Sequence, residues 1–119
     1  MKKIAFLGSK KIGLECLKYL YSVQKQLGFE IVCVLTNKRG RDIYDFCNEV
    51  SLKVYNSLED LSKIDSFDFG ISVQYHKILS KKHIEKAREI FINLHMAPLP
   101  EYRGCNQFSF AIINDDHIF

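Results

Sequence analysis

Asn93 and His95 are the two side chains whose types and spacing most directly suggest chemistry. They close an apolar run that is typical of a buried strand, and residues two apart on a strand project from the same face. An amide beside an imidazole supplies a hydrogen-bond donor for an oxyanion next to a proton-transfer group. Pro98 and Pro100 stiffen the loop that follows. Such a pair of amide and imidazole is able to support acid–base chemistry at this strand end, whereas a single histidine in a loop is more often a solvated group.

A second polar segment, Gly8–Ser9–Lys10, lies between the first apolar run and a helical pattern. A strand, a glycine and a helix start place free backbone N–H groups where an anion could bind. The segment contains neither the G-x-G of a dinucleotide fingerprint nor the Gly-Lys-Ser/Thr of a P-loop. Two interpretations stay open: a tight turn with exposed lysines, or a weak anion or substrate loop.

The elements that position these residues alternate between strand and helix. Apolar runs predict strands over residues 3–7, 29–35, 54–55, 67–73 and 89–94. Helical spacing predicts helices over residues 12–27, with Gly28 as C-cap, and 41–50, a helix start at Ser57, and a helix from Ser80 to about residue 88. This alternation predicts right-handed βαβ units and a mainly parallel sheet covered on both faces.

Ligands of such sheets bind beyond the carboxyl ends of the strands. The polar, Gly and Pro residues of the sequence gather at four such ends, namely 8–10, 36–37, 74–77 and 95–104. The predicted site therefore lies along one edge of the sheet.

Composition supports one soluble domain: 119 residues, 47% hydrophobic and 26% charged. These values exclude a disordered tail, a collagen-like repeat and a disulfide-dense miniprotein. The net charge of +3 is too small to indicate nucleic acid by itself. The four cysteines lack C-x-x-C spacing, which favours reduced thiols over disulfides or metal ligands. We expect a cytoplasmic protein without a bound metal, with His83 and His117 as solvated surface groups.

The stretch after the last predicted strand resembles the signature N-x-H-x-x-x-L-P-x-Y-R-G of the N-terminal domain of folate-dependent formyltransferases. The matching residues are Asn93, His95, Leu99, Pro100, Tyr102, Arg103 and Gly104. The resemblance extends from about residue 67 to residue 116 and is closest to the sugar-nucleotide N-formyltransferases. It implies an α/β, Rossmann-like three-layer fold of formyltransferase type with a mainly parallel sheet.

The resemblance also implies an activity, which is transfer of a formyl group from N10-formyltetrahydrofolate to the amine of a nucleotide-linked amino sugar. Asn93 and His95 are then the expected catalytic residues. The expected folate contacts are Tyr75, His76, Lys77, Ile78 and Leu79. The expected substrate contacts are Gly8, Ser9, Lys10, Tyr102, Arg103, Gly104 and Asn106. Residues 106–114 resemble a helix of the family.

One feature departs from the family. Its catalytic aspartate lies on a loop beyond the point where this sequence ends, at Phe119. We therefore expect residues 1–119 to be an N-terminal, C-terminally incomplete domain with part of an active site. The alternatives are a methionyl-tRNA formyltransferase domain and a non-catalytic folate- or nucleotide-binding remnant. The expected partners are small-molecule substrates and a second copy in a homodimer, with neither nucleic acid nor membrane favoured.

Overall fold

Strands and helices alternate along the chain in the predicted order. The structure is a computed structural model that describes residues 1–37, 40–64, 66–75, 79–94 and 110–113, the last range for its backbone only. The elements are β1 (Lys2–Gly8), α1 (Lys11–Leu27), β2 (Phe29–Leu35), α2 (Arg41–Val50), β3 (Val54–Tyr55), a 3₁₀ helix (Leu58–Lys63), β4 (Phe67–Val73), α3 (Lys81–Ile84), β5 (Ala87–Leu94) and β6 (Phe110–Ile113).

The strands form one sheet in the order β3-β2-β1-β4-β5-β6. The first five are parallel, and β6 is antiparallel to β5. The chain runs outward from β1 to β3 and then returns to place β4 on the other side of β1. This reversal makes the gap between the ends of β1 and β4 the switch point, where ligands of such sheets bind. The predicted mainly parallel sheet is confirmed.

The alternation of side chains along β1 explains the two faces of the sheet. Ile4 and Phe6 pack with residues of α1 and α2, whereas Ala5 and Leu7 pack on the opposite face against the 3₁₀ helix. All four side chains are almost fully buried. Because both faces of the sheet are covered, successive residues of β1 are all apolar. The predicted three-layer arrangement is confirmed.

The ends of the helices agree with the sequence signals at one position and differ at another. Gly28 ends α1 in the left-handed conformation, with φ of 77°, and its N–H donates to the carbonyl of Gln24 at 3.0 Å. The helix predicted from Ser80 to residue 88 is shorter, because α3 ends at Ile84. Its residues include none that is buried, while Ala87 already pairs with Phe67 in the sheet.

The resemblance implied a helix over residues 106–114, and the structure corrects this for Phe110–Ile113, which form β6. The backbone of β5 would otherwise present an unpaired edge, and the sequence Phe-Ala-Ile-Ile favours extended structure. Pairing with β5 therefore outweighs the helical expectation at these four residues.

Cysteine and histidine positions give two further corrections. Cys33 and Cys47 are free and buried, as expected, but Cys16 is disulfide-bonded. Spacing along the chain did not indicate this, because a disulfide depends on tertiary proximity. His83 is half-buried rather than fully solvated, since its Nδ1 accepts a hydrogen bond from the backbone N–H of Ser80 at 3.1 Å. Burial, together with Lys82, lowers the pKa of His83.

In the part of the chain that the structure describes, no helix is both long and apolar enough to cross a bilayer.

Candidate active site

The candidate site is built around the gap between β1 and β4. Ser9 follows β1 and is 1% exposed, and its hydroxyl donates to the backbone carbonyl of Gln74 at 3.1 Å. Gln74 follows β4 and has a φ of 52°, in the left-handed region that few residues other than glycine adopt. The hydrogen bond thus ties the two strand ends together across the switch point. Gly8 pairs with Val73 in the register just below it.

The amino terminus of α1 lies directly above this gap. A Cβ on Gly13 would be 3.4 Å from the Cα of Gly8, so the missing side chain lets the first turn approach the end of β1 closely. Lys10 is the exposed N-cap residue and makes no side-chain capping bond, and the first turn has no acidic residue. The first-turn N–H groups and the lysine make this end of α1 electropositive. The geometry suits an anion, as one of the two sequence interpretations has it.

Tyr75, which follows β4, lies on the other side of the sheet. Tyr75 packs against the core cluster that contains Leu79 and the 3₁₀ helix. Burial, and secondarily the nearby Asp60 carboxylate, raises the pKa of Tyr75 to about 12, so its hydroxyl stays protonated at neutral pH. Leu79 is 5% exposed. Its side chain is therefore part of the same core cluster as Tyr75.

Asn93 lies near the carboxyl end of β5, opposite Ser72 of β4 and Ala111 of β6. Ile92 and Leu94 pack with the cluster on the α1 side of the sheet. Since successive side chains alternate, the half-buried Asn93 belongs to the opposite face, where Tyr75 packs. The amide predicted to be catalytic and the start of the predicted folate loop therefore share one face.

The structure brings six of the predicted site residues to one edge of the sheet: Gly8, Ser9, Lys10, Tyr75, Leu79 and Asn93. The other eight lie outside the described residues: His76, Lys77, Ile78, His95, Tyr102, Arg103, Gly104 and Asn106. Within the described ranges, no three His, Cys, Asp or Glu side chains cluster in a way that could hold a metal ion.

Sequence reasoning missed one feature of this edge. Arg41, Tyr44 and Asn56 join Asn37 around an open cleft of about 640 Å³ at the ends of β2 and β3. Asn37 belongs to one of the strand ends that the pattern predicted as ligand-binding. Asn56 directly follows the two-residue strand β3, and that adjacency was the available signal.

A comparison of the sequence with known protein families identifies the family of this chain. The profile of the family described as Formyl transferase matches residues 48–118, more than half of the chain. The chain belongs to this formyl transferase family. The matched region contains both Asn93 and His95, together with the strand that carries the amide.

Relatives of this formyl transferase chain are longer than it is. The methionyl-tRNA formyltransferase of Fusobacterium nucleatum subsp. nucleatum is 31% identical over 131 residues, which cover 96% of this chain and 41% of that protein. A second methionyl-tRNA formyltransferase, from Thermodesulfovibrio yellowstonii, is 29% identical and is covered to 42%. The chain thus spans about two fifths of the length of these curated relatives.

Solved structures share the fold. Phosphoribosylglycinamide formyltransferase from Brucella melitensis superimposes with a TM-score of 0.63 at 19% identity, over 87% of this chain and 61% of that one. A sugar 3N-formyl transferase, solved in the presence of dTDP and 5-N-formyl-THF, gives a TM-score of 0.57 at 24% identity, over 88% and 39%. At these identities the likeness establishes the formyltransferase fold.

Proposed function

We propose that this chain carries part of the active site of an N10-formyltetrahydrofolate-dependent N-formyltransferase whose acceptor is a nucleotide-linked amino sugar. The observation that carries the proposal is the position of Asn93 at the carboxyl end of β5, inside the family match and on the face where Tyr75 packs. The signature around His95 supports the same assignment. The formyl donor is a substrate here, expected against residues 75–79.

The proposed chemistry requires one bond to form and one to break. The lone pair of the acceptor amine attacks the formyl carbon, and the carbonyl electrons move to oxygen, giving a tetrahedral oxyanion. The Asn93 amide donates a hydrogen bond to that oxygen. Collapse breaks the bond between the formyl carbon and N10 of the folate. His95 takes the proton from the amine and returns it to N10, because an imidazole titrates near neutral pH.

The phosphate groups of the acceptor are expected at the end of α1. Gly8, Ser9 and Lys10 form the turn there, and the uncapped first turn offers backbone N–H donors to an anion. The hydrogen bond from Ser9 to Gln74 holds this turn at the switch point between β1 and β4. The strand β5, which carries Asn93, lies next to β4. The anionic part of the acceptor and its amine would then lie along the same edge.

A methionyl-tRNA acceptor is the second candidate. It is favoured by the curated relatives at 31% and 29% identity, which are methionyl-tRNA formyltransferases. The amino-sugar acceptor is favoured by the loop sequence Ala97–Pro98–Leu99–Pro100 with Arg103–Gly104–Cys105–Asn106, and the net charge of +3 is small for a tRNA-binding surface. The catalytic assignment of Asn93 and His95 is common to both candidates.

An assay with both acceptors tests the proposal. The protein, and a longer form if the gene continues, is incubated with N10-formyltetrahydrofolate and either an amino-sugar nucleotide or methionyl-tRNA. Formylation of the sugar amine is the expected result. If only methionyl-tRNA is formylated, the second candidate replaces the proposed acceptor. If neither acceptor is formylated, the result favours a non-catalytic remnant.

Two substitutions test the roles of the catalytic pair in whichever form is active. Asn93→Ala is expected to lower kcat by roughly 10²–10³, the usual effect of removing one oxyanion donor. His95→Ala is expected to lower kcat by roughly 10²–10⁴, as loss of a proton-transfer group does. Asn48→Ala, on the exposed side of α2, and His83→Gln are the matched controls. Unchanged turnover in either catalytic variant would contradict its assigned role.

A further inference from the structure

The described residues that line the cleft at the ends of β2 and β3 have no role in the proposed function. Asn37 follows β2, Asn56 follows β3, and Arg41 and Tyr44 come from the first turn of α2. Its volume of about 640 Å³ falls within the range of small-molecule sites. The lining combines a guanidinium, two amides and an aromatic ring that is 43% exposed.

The helix end beside this cleft has no side-chain cap. Gly40 is the N-cap residue of α2, and its N–H donates to the carbonyl of Asn37 at 2.9 Å. Arg41 adds a positive charge to the first turn, whereas the exposed Asp42 is not among the residues lining the cleft. The cleft therefore presents a positively charged side chain and a free helix amino terminus together.

A buried hydroxyl lies beneath the same helix end. Thr36 is 1% exposed, and its Oγ1 has no hydrogen-bond partner among the described residues. The hydroxyl lies against Gly40, where an added Cβ would overlap it. Buried polar groups in native proteins nearly always have partners, so this hydroxyl is an exception; Gly40 covers it, and Thr36 is not among the residues that line the cleft.

The position of the cleft relative to Asn93 points to the class of ligand. Three strand spacings of about 4.8 Å separate β5 from β2, which is roughly 14 Å. Between them lies the uncapped end of α1, and a Cβ at Gly40 would be 3.4 Å from the carbonyl oxygen of Ser9. The amine of the acceptor is expected at Asn93 and its anionic part over the end of α1. A further group beyond the anionic part, about as large as a nucleoside, would then extend into the cleft.

We propose that this cleft binds the nucleoside end of a nucleoside diphosphate whose phosphates extend from the end of α1, with Arg41 on the phosphate next to the ribose and the Tyr44 ring stacked on the base. Asn37 and Asn56 supply donors and acceptors for the base edge or ribose. The proposal rests on the proposed function, because it assigns the nucleotide portion of the amino-sugar acceptor to a specific place. A planar guanidinium suits phosphate, and an exposed aromatic ring suits a base.

Calorimetric titration with UDP and with dTDP tests this assignment. Arg41→Gln is expected to raise the dissociation constant at least about tenfold, and Tyr44→Ala about fivefold or more. The matched controls are Arg88→Gln, which makes the same charge change at the opposite end of the sheet, and Tyr19→Ala, which removes a tyrosine of similar exposure on α1. Both controls are expected to bind as the wild type does.

The outcomes separate this inference from the proposed function. Inorganic pyrophosphate should bind more weakly to Arg41→Gln and equally well to Tyr44→Ala, since it lacks a base to stack. Nucleotide affinity unchanged in both cleft variants, or no nucleotide binding by the wild type, would overturn the inference. Titration of the same samples with 5-formyltetrahydrofolate reports on the donor site. If the wild type does not bind this folate, the result counts against the proposed function. Normal folate binding by Arg41→Gln shows that this variant is folded.

Discussion

Two buried hydroxyls near the candidate site illustrate how position decides the contribution of a residue. Ser9 and Thr36 follow adjacent parallel strands and are each 1% exposed. The Ser9 hydroxyl donates to Gln74, whereas that of Thr36 has no partner in the described part of the chain. A satisfied buried hydroxyl stabilises the fold, and an unsatisfied one costs free energy. Similar residue types at equivalent positions therefore have opposite effects.

This contrast gives a prediction for each hydroxyl. Ser9→Ala is expected to lower the free energy of unfolding by about 1 kcal/mol, since the bond across the switch point is lost. Thr36→Ala is expected to be at least as stable as Thr36→Ser, because the two variants differ only in the unpaired hydroxyl. Urea denaturation of the three variants measures these changes. A Thr36→Ser variant more stable than Thr36→Ala would show that the hydroxyl has a hydrogen-bond partner in the unliganded protein.

At the scale of elements, the contact between β4 and β5 depends on a missing side chain. Gly70 pairs with Phe91, and a Cβ on the glycine would overlap the phenylalanine ring. Phe91 is 1% exposed and makes an edge-to-face contact with Phe67 at a centroid distance of 6.4 Å. The ring thus fills the space above the glycine, and it lies two residues before Asn93 on the same strand.

Gly70→Ala is expected to cost about 1–3 kcal/mol of stability, because the buried Phe91 ring must leave its position. Phe91→Leu should relieve the overlap, so the double variant should lose less stability than the sum of the two single variants. Gly28→Ala is the matched control: its cost comes from the positive φ, and no atom lies within 4 Å of the added Cβ. Combined with Phe91→Leu, it should show simple additivity in denaturation experiments.

At the scale of the whole molecule, two buried thiols report on opening of the fold. Cys33 lies in β2 and Cys47 in α2, in the two core clusters on opposite faces of the sheet. Burial raises the pKa of each thiol to about 12. Because the thiolate is the reactive form, each is protected both by exclusion of reagent and by its protonation state.

Alkylation by iodoacetamide at pH 8 should therefore be slow at both cysteines in the native protein. A pKa of about 12 leaves roughly one thiolate in ten thousand at this pH, against about a quarter for an ordinary thiol. Peptide mapping is expected to show at least about a hundredfold slower labelling than in denaturant. Rapid labelling of Cys47 alone would mean that α2 opens without the sheet.

The sequence determined the elements whose signals are local. Strands such as Phe29–Leu35 and Phe67–Val73 were predicted at their observed bounds, since most of their residues are apolar and few are exposed. Gly28 indicated the end of α1 correctly, because the C-cap position adopts the left-handed backbone conformation that glycine accommodates most easily. The parallel order of strands followed from the alternation with helices, and the strand-end rule then indicated the edge where Asn93 lies.

Features that depend on neighbours far along the chain could be found only in the folded structure. Phe110–Ile113 falls within a stretch that resembles a helix of the family, but it pairs with β5, whose edge is available there. Arg41, Tyr44 and Asn56 carry no motif, and they share a cleft because two strand ends and a helix end meet. The unpaired hydroxyl of Thr36 likewise reflects packing against Gly40. Apolar periodicity and capping are encoded over a few residues, whereas these contacts arise only after the sheet has brought distant segments together.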